Sequence, residues 1–291
     1  FSVTTGFRSG GYALGVSGQY DSQRDEFGTP IGDNQRLVSY DEETVEAVEI
    51  GYKGLHLDET LQVFASIYQY DYDGYQDELQ QFDPIRGAGA NFVSNADGIT
   101  NKGFEVELYY AATERLTLSG NFSYTETEYG EDYFVFTVDD PINPVPVFGT
   151  FTQGFISAQV TDPSQAADYT VNLKGGPLKG IPEEKATIRV SYEQDTRFGP
   201  LYYLLSHSYT GDFSASGIQR PLDRIDSRET TNLNISWFSQ DGNLSVRAYI
   251  DNLFDNDNYY ALSTGDHETN YRKSVTALPP RVMGVDMRYR F

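Results

Sequence analysis

From Arg281 to Phe291 the chain alternates between two kinds of position. Met283, Val285, Met287, Tyr289 and Phe291 fall on one side of a two-residue period, and Val282, Gly284, Asp286, Arg288 and Arg290 on the other. Val282 is the one large apolar residue of the second set. A period of two marks a strand with unlike faces. A run of apolar side chains closing on an aromatic ring suits a strand whose outer face meets lipid and whose last ring sits at the interface.

The alternation recurs along the chain. In Glu46–Lys53 it places Val48, Ile50 and Tyr52 on one face. Gly103–Ala111 sets Phe104, Val106, Leu108 and Tyr110 against Glu105 and Glu107. Leu116–Thr125 and Ala186–Glu193 repeat the pattern, the second with Ile188 and Val190 opposed to Thr187, Arg189 and Ser191. Leu233, Ile235 and Trp237 alternate with Asn232, Asn234 and Ser236, and Leu244, Val246, Ala248 and Ile250 with Ser245, Arg247, Tyr249 and Asp251. Leu61–Tyr72 and Leu201–Tyr209 read as strands with apolar residues on both faces, so their lipid side is open. With a first strand at Phe1–Arg8, about ten strands and no helix beyond a turn or two are expected.

The connections sort by parity. Gly54–Thr60, Ala112–Arg115, Gln194–Pro200 and Gln240–Asn243 are short. Ser9–Asp41, Asp73–Ala90 or beyond, Gly130–Glu184, Gly211–Glu229 and Asn252–Pro280 are long. Strict alternation of short and long links is what an up-and-down barrel of the outer membrane requires, with tight periplasmic turns and long extracellular loops. A sandwich has no reason to sort its loops this way. The last strand then descends to the periplasmic rim, with Tyr52, Tyr192 and Trp237 low and Tyr72, Tyr124 and Tyr209 high. Two aromatic girdles are expected where rings prefer the headgroup layer. The opposite faces carry Glu105, Glu107, Arg189, Glu193, Arg247, Asp286 and Arg288. So many charges in a dry interior would cost several kcal/mol each unless paired, so a wet or plugged lumen is expected.

Composition sharpens this picture. Apolar residues make up only 38%, yet there are 23 Tyr and 18 Phe, which suits strands with amphipathic girdles. The longest uncharged run, Pro141 to Thr161, is broken by Pro144, Pro146, Gly149 and Gly154 and reads as loop, not as a membrane helix. Phe1 opens directly in strand-like sequence, as expected where a leader has been removed or where the chain begins part-way through a larger protein. A net charge of −22 with no basic cluster argues against nucleic acid and against docking on anionic headgroups. Between Leu116 and Leu173 there are eight acidic residues and no Lys or Arg, read as a solvated face or as loops that attract cations.

Several stretches together resemble the C-terminal half of TonB-dependent outer-membrane receptors. Gly6-Phe7-Arg8-Ser9-Gly10-Gly11-Tyr12 is similar to a mid-barrel strand end in that family. Glu43-Thr44-Val45 with Glu49, Gly51 and Lys53 resembles its descending strand, and Lys102-Gly103-Phe104-Glu105 with Glu107 another. Asn252-Leu253-Phe254-Asp255 followed by Tyr259-Tyr260, then Pro279-Pro280-Arg281 and the closing Tyr289-Arg290-Phe291, complete the order. The resemblance implies an all-β fold: an antiparallel transmembrane up-and-down β-barrel of which residues 1–291 supply about ten C-terminal strands out of 22. It also implies a plug domain and N-terminal strands outside this chain. Alternatively the ten strands close as a small barrel. Open edges are not tolerated in lipid, which together with the resemblance favours the larger assembly.

The same resemblance implies a location in the outer membrane of a Gram-negative bacterium, in contact with its lipid. The activity it implies is active transport of a scarce nutrient, foremost a ferric siderophore. Partners would be the TonB–ExbB–ExbD complex, reached through the missing N-terminal region, the barrel assembly machinery, and an extracellular ferric chelate. Tyr289 and Phe291 would form the assembly signal. The long loop Gly130–Glu184 is the candidate ligand surface, through Tyr133, Phe134, Phe136, Phe148, Phe151 and Phe155. Such rings capture ligands or pack the loop against itself.

No cofactor, metal site or enzymatic motif is expected. Asp255-Asn256-Asp257-Asn258 lacks the glycine and terminal glutamate of a calcium loop and reads as a polar turn. His207 reads as a structural or lumen-facing strand histidine. Two other classes stay open: a passive porin or adhesin-like barrel, and a barrel hydrolase using His207 with a strand serine.

Overall fold

The structure is a computed structural model that describes residues 1–12, 39–83, 88–136, 170–264 and 273–291. Ten long strands carry it: β1 (Ser2–Arg8), β2 (Glu43–His56), β3 (Leu61–Asp73), β4 (Ile99–Ala111), β5 (Leu116–Tyr129), β6 (Glu184–Thr196), β7 (Gly199–Thr210), β8 (Arg228–Phe238), β9 (Leu244–Asp251) and β10 (Val282–Tyr289). They form one antiparallel sheet in chain order. The only helical turn among the described residues is Pro221–Asp223, and no helix is long and apolar enough to cross a membrane. Among the described residues β1 pairs only with β2, and β10 only with β9. The sheet is therefore open, and the ten strands do not close on themselves as a small barrel.

Register shows why these residues choose strands. The pairing runs Leu118–Val190–Leu205–Leu233–Ile250–Met283 across β5 to β10, an unbroken aliphatic row on one face. One pleat away lies Ser119–Arg189–Ser206–Asn232 on the other face. A slip of one residue would turn every aliphatic side chain to the polar side, so the two environments lock the register. Val285 and Met287 are 71% and 73% exposed, so no second sheet covers the apolar face. That excludes a sandwich and leaves lipid as the partner of this face.

Register also settles the two ambiguous strands. On β3, Leu61, Val63, Ala65 and Ile67 join the apolar face through Leu108, Val106 and Phe104, and Phe64, Tyr68, Tyr70 and Tyr72 face the polar side. On β7, Leu205 and His207 are on the apolar face and Tyr202 and Leu204 on the polar face. Two expectations change. Tyr72 does not belong to the upper lipid girdle. It lies on the polar face, edge-on to Tyr75 with ring centroids 5.6 Å apart. His207 is not lumen-facing. It sits on the apolar face beside Ile188, its Nδ1 2.9 Å from the Thr231 hydroxyl, which satisfies its polarity locally.

Several strands outrun their apolar pattern at the long-loop end: β2 starts at Glu43, β4 at Ile99, and β5 ends at Tyr129. At that height the former lipid-side positions are Gln69, Lys102 and Glu126, with Lys102 bonded across the ladder to Glu126 at 2.9 Å. The backbone ladder continues into water where hydrophobic alternation has no further purpose. At the opposite end the turns are tight. Gly199 opens β7 at φ +121°, and a side chain there would collide with the Phe238 carbonyl, so only glycine fits.

Candidate functional site

The buried apolar cluster of the described residues lies at the long-loop rim. Ala96, Ile99, Tyr129, Tyr133, Leu173 and Leu178 form it, with Tyr72, Tyr75, Ile181 and Ile218 packed around them. A ribbon made of Tyr75–Asp83 and Ala88–Ala96 folds onto the end of β5. Tyr133 stacks on Tyr129, with ring centroids 5.5 Å apart and planes 11° from parallel. The Tyr129 hydroxyl donates to Asp77 Oδ2 at 2.6 Å, and Lys179 Nζ lies 3.2 Å from Asp77 Oδ1. Lys179 also donates to the Glu78 carbonyl, and the Tyr133 hydroxyl bonds Ser94.

Burial sets the protonation here. It pushes the Tyr133 hydroxyl up to about 12, with the Ser94 hydrogen bond pulling down and the Asp77 charge pushing up. Tyr129 is driven further upward, first by burial, then by the Asp77 charge and the hydrogen bond to it. Both hydroxyls keep their protons at physiological pH.

Hydrogen bonds stitch the rim segments into one layer. Gln76 donates from its amide side chain to the Ser9 and Asp41 carbonyls at 3.0 Å each, and its backbone N–H donates to Glu43 Oε2 at 2.8 Å. Gln219 donates to the Pro177 carbonyl at 2.9 Å, and Gly180 N to the Ser214 carbonyl at 2.8 Å. Asn258 donates to the Ser227 carbonyl at 2.7 Å, and Lys273 to the Leu222 carbonyl at 2.5 Å. A hollow of about 520 Å³ opens between residues 177–184 and 211–224, lined by Ile181, Glu184, Tyr209, Phe213, Arg220 and Arg224. Glu184 and Tyr209 belong to the apolar-face register, so this hollow belongs to the outer flank of the rim.

Of the residues singled out in the long loop, Tyr133 lies in this cluster, 9% exposed. Phe134 and Phe136 begin and end a short strand paired with Thr170–Asn172. Phe148, Phe151 and Phe155 lie outside the described residues. Tyr289 and Phe291 meet edge to face at the other rim, centroids 5.1 Å apart. Three of the four side chains at 255–258 are engaged in hydrogen bonds: Asp255 Oδ1 accepts from Arg281 N at 2.8 Å, Asn256 Oδ1 from Asn258 N at 3.2 Å, and Asn258 Nδ2 donates to the Ser227 carbonyl. Among the described residues no group of three His, Cys, Asp or Glu is placed to hold a metal.

An apolar lipid face, a polar reverse face and sorted loops are the parts of an outer-membrane barrel wall, and the sequence agrees. Residues 1–253 match the family model described as TonB dependent receptor-like, beta-barrel. The chain belongs to the TonB-dependent receptor β-barrel family. No curated protein sequence matches it. Among solved structures it is similar to the ferric yersiniabactin uptake receptor FyuA from Yersinia pestis, with a TM-score of 0.65 and 16% identity over 99% of this chain and 34% of that one. The siderophore receptor PiuA from Acinetobacter baumannii gives 0.57 and 17% over 90% of this chain and 30% of that one. The copper transporter OprC gives 0.59 and 14% over 99% and 36%. At these identities the likeness shows the fold, and the chain spans about a third of each neighbour's length.

Barrels of the TonB-dependent receptor family reside in the Gram-negative outer membrane, which assigns the apolar face to lipid and the polar face to the lumen. The family and its structural neighbours are receptors and transporters, not enzymes.

Family membership also gives meaning to Asn252. It sits at φ +51°, a left-handed conformation that asparagine tolerates better than most residues. Its side-chain amide donates to the Asn256 and Pro279 carbonyls at 2.8 and 2.9 Å, and its Oδ1 accepts from Asn256 N at 2.9 Å. It is 4% exposed, so substitution leaves those partners without solvent. Asn252→Ala is expected to destabilise the β9 exit by about 2–4 kcal/mol, from three hydrogen bonds lost in a buried place. Asn252→Asp, which keeps the acceptor, should fall between wild type and alanine in urea unfolding of the receptor. Equal stability of all three would contradict this role.

Proposed function

We propose that this chain is the C-terminal wall of an energy-coupled importer, with further strands and a lumen plug supplied by the rest of the receptor. The observation that carries this is the open ten-stranded sheet. Its apolar face requires a bilayer, yet β1 and β10 each present an unpaired edge, and lipid does not tolerate unpaired backbone. Additional strands of a wider barrel would satisfy both edges. A barrel of that width needs a plug if it is not to leak.

The substrate class proposed is a ferric siderophore. FyuA and PiuA are named for ferric yersiniabactin uptake and siderophore reception. The long loop would make the capture surface through Phe134, Phe136, Phe148, Phe151 and Phe155, with Tyr133 anchoring the loop's base. Energy would come from TonB–ExbB–ExbD acting on the plug. The Tyr289–Phe291 pair would be the mark read by the assembly machinery.

The test is uptake of radiolabelled ferric chelates by iron-starved cells carrying the full receptor. Uptake should saturate and should vanish when TonB is deleted. Joint replacement of Phe148, Phe151 and Phe155 by alanine should raise the half-saturating concentration about 10–100-fold, the range for losing aromatic anchors. Unsaturable, TonB-independent passage of small solutes would instead establish the passive porin reading.

A further inference from the structure

The hollow on the outer flank of the rim stands where hydrocarbon ends. Phe122, Ala186 and Tyr209 pair side by side as the last apolar row of the lipid face across β5 to β7, and the next row outward pairs Tyr124 with Glu184. Aromatic rings followed by a carboxylate mark the height of the headgroup layer. The hollow of about 520 Å³ opens at this height, with Tyr209 and Glu184 in its lining. Its walls are pinned to each other: Gly211 N donates to the Glu184 carbonyl and Gly180 N to the Ser214 carbonyl, both at 2.8 Å. Little ordering is therefore lost when something enters.

Both signs of charge line the space. Glu183, Glu184 and Asp212 are there with Arg220 and Arg224. Arg220 is engaged with the buried Asp223. Arg224 Nη2 meets Asp212 Oδ2 at 2.6 Å, but its guanidinium is exposed and carries donors beyond that pair. Among the described residues no ion pair holds Glu183 or Glu184. A purely anionic occupant would meet three carboxylates on a chain of net charge −22. A metal ion is also a poor fit, because no group of three acids converges on one point. What fits is a molecule with a cationic donor and an anionic acceptor, joined by a short apolar link that Ile181 and Phe213 can cover.

We propose that this hollow seats a zwitterionic lipid headgroup of the phosphoethanolamine type. The ammonium donates to the Glu183 and Glu184 carboxylates, and a phosphate oxygen accepts from Arg224. Bonds of this kind, with both partners charged, are about twice as strong as neutral ones. The acyl chains run down the apolar face past Tyr209 and Ala186. The seat fixes the depth of the wall in the membrane at β6 and β7, and it does so whether or not a plug fills the lumen.

The test is native mass spectrometry of the full receptor released from nanodiscs holding equal parts of phosphatidylethanolamine, phosphatidylcholine and phosphatidylglycerol. Wild type should retain phosphatidylethanolamine about 10-fold over the other two, the yield of about one charge-assisted hydrogen bond. Phosphatidylcholine has no N–H to donate, and phosphatidylglycerol has no cation. E183Q/E184Q should bring phosphatidylethanolamine down to the level of phosphatidylcholine. R224Q should lower both together, since each carries the phosphate. The substituted side chains are exposed, so the barrel should still fold, as heat-modifiable gel mobility would show. Equal retention of the three lipids by wild type overturns the seat. A preference for phosphatidylglycerol overturns its zwitterionic chemistry. A phosphatidylethanolamine preference that survives E183Q/E184Q places the lipid elsewhere and overturns the assignment.

Discussion

Leu205→Arg is expected to lower the stability of the receptor in lipid by about 2–4 kcal/mol, and Leu204→Arg by less than about 1 kcal/mol. The two leucines are adjacent and almost equally exposed, at 40% and 39%. Composition and accessibility therefore cannot separate them; only the face can. Leu205 lies midway along β7, paired with Val190 and Leu233 in the aliphatic row. A guanidinium there must sit near the bilayer midplane or drag water to it. Leu204 pairs with Ser191 and Asn234 on the lumen side, where an added cation stays hydrated. Reversible urea unfolding in vesicles, with Arg substitutions stepped along Ala186, Ile188 and Val190, should show the cost peaking at Val190 and falling toward the rim. Equal penalties at 204 and 205 would mean that the apolar face does not meet hydrocarbon.

That neighbouring pair also marks how far the sequence could be read. Where the lumen face is plainly polar, as with Glu105 and Glu107 on β4 or Thr187 and Arg189 on β6, alternation alone identified both strand and lipid side. It failed to choose a side on β3 and β7 because their lumen faces carry Phe64, Tyr68, Tyr70, Tyr202 and Leu204. Some of these rings have a packing task. The hydroxyl of Tyr68 would lie 2.7 Å from a side chain at Gly103, and the Tyr249 ring 2.6 Å from one at Gly284. Aromatic rings laid over strand glycines shield backbone that would otherwise be bare. A two-letter hydrophobic code cannot distinguish such a ring from one that faces lipid. It does explain a family motif physically: at the glycine beside Lys102 a side chain would collide with the Tyr124 carbonyl as well as with the Tyr68 hydroxyl.

The rim was less legible. The stretch Tyr75–Asp83 reads Tyr-Gln-Asp-Glu-Leu-Gln-Gln-Phe-Asp, without amphipathic period, because its ribbon stands in water above the membrane. Asp77 and Lys179 meet across a hundred residues of chain, through loops whose approach no local pattern encodes. The aromatic richness of the Gly130–Glu184 loop was visible. The role of Tyr133 as a buried anchor was not, since a ring in a loop carries no sign of whether it faces solvent or its neighbours.

Loss of the Tyr129–Asp77–Lys179 contact is the second large effect expected. Asp77 is 4% exposed and holds both the tyrosine hydroxyl and the lysine. Asp77→Ala strands the buried Tyr129 hydroxyl and takes a charge partner from the partly exposed Lys179, and should cost about 2–4 kcal/mol, felt as opening of the ribbon at 75–96. Tyr129→Phe removes one donor and leaves the carboxylate with its lysine, for about 1–3 kcal/mol. Combining Tyr129→Phe with Lys179→Met should depart from additivity by about 0.5–3 kcal/mol, because both act on the same carboxylate.

Alkaline pH reaches the same lock by another route. An exposed tyrosine loses its proton near 10, whereas Tyr133 in the closed rim holds it to about 12. The open form therefore binds fewer protons over that interval, and closure weakens as pH rises. The contribution is complete below pH 10 and declines by about 1.4 kcal/mol per pH unit as the medium approaches 12. Nicking within residues 75–96 by an alkaline protease, at a rate set by the open population, measures this directly. Tyr133→Phe should reduce the pH slope of closure by about 1.4 kcal/mol per unit, since phenylalanine has no proton to lose. Tyr129→Phe should also flatten the slope, because that hydroxyl too is shifted upward. A wild-type rim that nicks at the same rate throughout this range, or a Tyr133→Phe profile parallel to wild type, would show that the stacked pair does not hold the ribbon down.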